Sequence, residues 1–142
     1  MDDVREAFQR LAAALHARPE VLTAYVFGSA AGSAGAGSRP PRDLDVAVIT
    51  GGESGLAELL GLQVELERAA AVPVDLHEFD RLPVDLQFRV VREGSIVVDR
   101  DPAARVRNEI RVMNAYHDLA PYLERIRSGT RERLARSGGG DG

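Results

Sequence analysis

Two seven-residue runs rich in β-branched and aromatic residues, VLTAYVF at 21–27 and LDVAVIT at 44–50, frame what this chain can fold into. Such residues favour extended backbone, because branched and aromatic side chains pack well on a pleated surface. The runs are joined by GSAAGSAGAGSRPPRD, residues 28–43, in which glycine, alanine and serine repeat before two prolines. That composition resembles a flexible spacer. Yet the stretch leaves one apolar run and ends at Asp43-Leu44-Asp45, where two acids open the next. It is either a linker between two halves or a loop that holds something anionic above a pair of carboxylates.

The rest of the chain alternates in the same way. Val4, Phe8, Leu11 and Leu15 recur at helical spacing and predict an amphipathic helix over 3–17, with Pro19 shortly after its end. Ser54 is the expected N-cap of a helix to about Ala70, whose apolar face would comprise Leu56, Leu59, Leu60, Val64 and Leu66. Residues 73–79 (PVDLHEF) read as a third strand. Pro83 suits the first turn of a short helix carrying Leu82, Leu86 and Val90, ended by Gly94. Residues 95–98 read as a final strand. From Pro102 onward the pattern is helical, with Val106, Ile110, Met113 and His117 on one stripe and a break expected near Pro121. This arginine-rich segment either packs partly on the core and partly on a partner or packs on the core alone, and core packing alone is the expected role of the stripe. Strands and helices in alternation define an α/β fold: a small sheet, not necessarily all parallel, flanked by helices and followed by a C-terminal helical segment. One domain over residues 1–136 is expected, with a disordered glycine-rich tail at 137–142.

Composition narrows the chemistry. Cysteine is absent, which excludes disulfides and thiolate metal sites. Every basic residue is arginine, so lysine nucleophiles and Schiff bases are excluded as well. A formal net charge of −4 argues against non-specific nucleic-acid binding as the main activity. No signal peptide and no membrane span is expected, and the location read from these features is cytoplasmic.

On a strand, residues two apart share a face, so Asp43 and Asp45 project together while Leu44, Val46 and Val48 point into the core. Two adjacent carboxylates repel unless a cation lies between them. With oxygen donors and no thiols, that cation would be hard, Mg²⁺ or Mn²⁺. Taken alone, D-x-D equally fits two solvated acids at a strand start. The PVDL at 73–76 adds Asp75 on the next strand, able to reach the same face, share the metal and accept a proton from an attacking hydroxyl. The second PVDL, at 83–86, puts Asp85 in the first turn of a helix, where the dipole alone favours an acid. Gly28 at a strand end permits a tight turn and close backbone approach, and its N–H with the Ser29 hydroxyl offers donors for phosphate oxygens.

In the order strand, Gly28-Ser29, loop, Asp43-x-Asp45, strand, helix, strand, Asp75, these pieces resemble the signature of the DNA-polymerase-β-like nucleotidyltransferases. The small size and the segment DLQFRVVREGSIVVDRDPAARVRNEIRVMNAYHDLAPYL resemble the minimal nucleotidyltransferase (MNT) branch, the antitoxins of HEPN/MNT toxin–antitoxin pairs. The resemblance runs from about Val21 to about Leu123. It implies that Gly28 and Ser29 hold the triphosphate of ATP, that Asp43 and Asp45 bind two Mg²⁺ ions, and that Asp75 completes the site. It also implies transfer of AMP to a tyrosine hydroxyl of a partner HEPN ribonuclease, which is thereby silenced. Two departures stand out: thirteen residues separate Ser29 from Asp43, a few more than usual, and Arg42 precedes the first acid, where serine is common. A longer loop costs little in closure entropy.

Several residues compete for attention. Arg39 and Arg42 either contact phosphates or are solvated. His77 shares a strand face with Asp75 and either lines the site or is structural. Arg111 and His117 match the loose R-x(4–6)-H pattern of HEPN ribonucleases, but an α/β chain is not the all-helical bundle of that toxin. Tyr25 and Tyr116 are read as packing residues, and His16 as a surface residue. Two other functions stay open beside protein adenylylation: an antitoxin acting by binding alone, and a nucleotidyltransferase acting on an antibiotic hydroxyl.

Overall fold

The computed structural model of the chain describes residues 2–28, 44–52 and 55–139. Four strands form one mixed sheet: β1 (Val21–Phe27), β2 (Leu44–Thr50), β3 (Val74–Glu78) and β4 (Ser95–Asp99), in the order β3-β2-β1-β4. β1 runs antiparallel to both β2 and β4, whereas β2 and β3 are parallel. A parallel pair needs a crossover, supplied here by helix α2 (Leu56–Ala70). β1 is central, and six of its seven residues are buried, so it reads as a continuous apolar run rather than an alternating one.

Each face of the sheet carries its own core. α1 (Asp2–His16) and α2 cover one face, where Leu11, Leu15, Leu62 and Leu66 meet Val26, Val46 and Val48. A 3₁₀ turn (Phe79–Arg81), α3 (Val84–Glu93) and α4 (Pro102–Gly139) cover the other, around Tyr25, Phe27, Ala47, Phe79, Val90 and Val112. Leu44, Val46 and Val48 point inward as the alternation predicts.

Three helical details differ from the sequence pattern. α2 is capped at Gly55 rather than Ser54, which lies outside the described residues; the Gly55 N–H donates to the Glu58 carboxylate at 2.9 Å. Its buried line is Leu62, Leu66 and Ala70, while Leu60 and Val64 stay exposed, each roughly 200° round the helix from Leu62. α4 does not break at Pro121. The ring sits on an exposed surface, where the carbonyl that loses its backbone donor is open to solvent, and the helix continues. It continues to Gly139, since extending an existing helix costs far less than starting one.

The stripe on α4 is also corrected. Val106, Ile110 and Met113 are 44%, 53% and 45% exposed, and His117 is exposed as well. The helix instead buries Val112 and stacks Tyr116 on Phe88 of α3, ring centroids 3.8 Å apart.

Candidate active site

β1 ends at Phe27, and Gly28 turns the chain with φ of +80°. Register then brings three strands to one place: Phe27 faces Asp45 across the antiparallel pair, and Asp45 faces Asp75 across the parallel pair. One row further along, Ala47 faces His77. Asp45, Asp75 and His77 each present a ligand atom within 4.8 Å of the others. His77 Nε2 lies 3.2 Å from Asp75 Oδ2, and the His77 ring leans on the Phe27 ring, centroids 5.8 Å apart.

Gly28 closes this corner from the β1 side. A Cβ built there would fall 2.5 Å from Asp45 Oδ2, so the glycine is what lets the backbone pass over that carboxylate. The positive φ is a second reason for glycine at this turn. Asp45 is half-buried, whereas the Asp75 side chain is 61% exposed and that of His77 32%. The cluster thus has one sheltered carboxylate against the sheet and one open to solvent.

Of the residues singled out by sequence, Gly28, Asp45 and Asp75 come together; Ser29, Arg39, Arg42 and Asp43 lie outside the described residues. Asp85 sits exposed in the first turn of α3 and is not in the cluster. His77 belongs to it, a position that the period-2 spacing from Asp75 hints at but only strand register settles. Two carboxylates and an imidazole at this spacing suit a divalent cation. Among the described residues, Asp45, Asp75 and His77 are the candidates to hold one. A cleft of about 420 Å³ lined by Arg18, Glu20, Gly51 and Glu58 lies at the far end of β2, away from the cluster.

Beneath the site runs a polar network that sequence reasoning missed. Tyr25, buried in the sheet, donates its hydroxyl to Glu109 Oε1 at 2.9 Å, and Arg105 Nη1 donates to the same oxygen at 2.8 Å. Arg105 Nε lies 3.0 Å from Asp99 Oδ1, near enough for charge pairing although off the line of a hydrogen bond. Burial, reinforced by the hydrogen bond to Glu109, pushes the Tyr25 phenol well above its ordinary range. Tyr25 and Glu109 lie 84 positions apart in the chain, so no local pattern could reveal the pair.

A four-stranded mixed sheet that seats acids from two parallel strands beside a glycine turn defines the nucleotidyltransferase class. The chain belongs to the Polymerase beta, Nucleotidyltransferase family, which it matches over residues 9–103. No curated protein matches it in sequence. Among solved structures, a toxin–antitoxin crystal structure with AMP-PNP is similar over 87% of this chain and 97% of its own, with TM-score 0.70 and 20% identity. The toxin–antitoxin structure MntA–HepT is similar over 89% and 98%, with TM-score 0.68 and 17% identity. The complex of a tri-AMPylated Shewanella oneidensis HEPN toxin with its MNT antitoxin is similar over 91% and 96%, with TM-score 0.64 and 18% identity. Likeness at this level of identity establishes a shared fold.

Proposed function

We propose that this chain is the antitoxin of a HEPN/MNT pair and acts as a Mg²⁺-dependent adenylyltransferase, moving AMP from ATP to a tyrosine hydroxyl of its partner HEPN toxin. The observation that carries this reading is the register of Asp45 with Asp75 under Gly28, in a chain of the nucleotidyltransferase family. Extent supports the partner. The chain spans nearly the whole of neighbours from toxin–antitoxin complexes, one with AMP-PNP and one with an AMPylated HEPN toxin.

In this proposal the Gly28 and Ser29 N–H groups and the Ser29 hydroxyl bind the triphosphate. Asp43, Asp45 and Asp75 would hold two divalent ions, which when bound would neutralise phosphate charge and make the attacking hydroxyl more acidic. Asp75, the more exposed of the two described acids, accepts the tyrosine proton. The freed oxygen forms its bond to the α-phosphorus as the bond to the β-phosphate oxygen breaks, and pyrophosphate departs in line.

Incubation with α-labelled ATP, Mg²⁺ and the product of the adjacent gene tests this directly. Label is expected on that partner and is expected to vanish in Asp43→Asn/Asp45→Asn. Label persisting in the double variant refutes the metal assignment. A double variant that still neutralises its toxin fully points to binding alone, and transfer to an antibiotic with no partner present points to the small-molecule enzyme.

A further inference from the structure

From the cluster at the β2–β3 edge we infer that His77 is itself a metal ligand, giving the site a nitrogen donor and a preference for Mn²⁺ over Mg²⁺. This inference rests on the proposed metal-dependent reaction and concerns the same site.

The spacing approaches that of a ligand set. Two ligands at neighbouring corners of an octahedral Mg²⁺- or Mn²⁺-sized ion stand about 3 Å apart, and opposite ones about 4.2 Å. His77 Nε2 and Asp75 Oδ2 are 3.2 Å apart, the spacing of neighbouring corners, while the three ligand atoms lie within 4.8 Å of one another, a bound about 0.6 Å wider than the octahedral span that side-chain rotation would close on coordination. The ring is held as well as placed. Strand register sets its backbone opposite Ala47, and Phe27 packs against it from β1. A side chain fixed in this way loses little freedom when it coordinates. Nε2, which faces Asp75, can turn its lone pair to an ion in the tautomer protonated at Nδ1.

Donor chemistry makes the prediction selective. Mg²⁺ demands oxygen ligands and gains little from imidazole, whereas Mn²⁺ accepts both. Neither His16 nor His117 lies in the cluster.

The test uses the full chain without an affinity tag, loaded with Mn²⁺ alone so that no nucleotide nitrogen contributes. Pulsed EPR is expected to show nitrogen coupling to the bound Mn²⁺, lost in both His77→Gln and His77→Asn while circular dichroism stays native. Mn²⁺ affinity is expected to fall at least about ten-fold in these variants, and Mg²⁺ affinity by less than about two-fold. Bound Mn²⁺ without nitrogen coupling, or coupling that survives both substitutions, overturns the assignment. Failure of the wild type to bind Mn²⁺ overturns it too. Nitrogen coupling without AMP transfer to any partner would leave the ligand in place and remove the adenylylation reading; transfer without coupling would do the reverse.

Discussion

At Gly28 a single hydrogen separates the backbone from the Asp45 carboxylate. Gly28→Ala adds a methyl where only 2.5 Å is available, at a φ that costs an L-residue about 1–2 kcal/mol. Asp45 must move, and displacement on the order of 1 Å at a reacting centre costs about 100-fold in rate. The expected outcome is therefore a loss of nucleotidyl transfer of at least about that size, with Mn²⁺ binding weakened in calorimetry. Tyr25 makes a different prediction. Tyr25→Phe removes a buried donor to a charged oxygen and is expected to cost about 1.5–3 kcal/mol in urea unfolding. The phenol also links stability to pH. Its folded pKa lies above the unfolded value of about 10, so the unfolded chain loses the proton first as pH rises. The contribution is complete below about pH 10 and declines above it. Tyr25→Phe should flatten that alkaline decline.

Among the elements, α4 is where pattern and structure part. Val106, Ile110 and Met113 repeat as a core stripe would, yet Val112 is the side chain the helix buries. Val112→Ala is expected to destabilise by about 2 kcal/mol, whereas Ile110→Ala should stay within about 0.5 kcal/mol. Equal losses would show that the exposed stripe packs on the core after all. At the end of α2, Ala71 takes a left-handed φ of 59° to close the helix, its N–H bonded to Glu67 O at 2.9 Å. Ala71→Gly relieves that conformation and should raise stability by about 1 kcal/mol, read as a higher urea midpoint.

Taken whole, the molecule places its site where three strands meet and extends α4 about 57 Å. Residues 130–134 of that helix are exposed, so a chain ending at Gly129 should unfold within about 0.5 kcal/mol of the full one. Much of this arrangement is legible in one dimension. Branched runs mark β1 and β2, the Leu11–Leu15 spacing marks α1, and the parallel β2–β3 pair follows from a helix lying between two strands. Asp45 and Asp75 could be matched because the strands carrying them were recognisable and each acid has a fixed place along its strand. Local rules reach no further than one turn or one strand. Which apolar stripe of α4 meets the sheet, whether Tyr25 finds a carboxylate, and whether His77 stands beside Asp75 depend on contacts between residues far apart in the chain. The order of the elements and the acids available to them were therefore set by sequence. Register and helix docking alone decided which side chains meet, because burial is a property of surfaces brought together and not of any segment by itself.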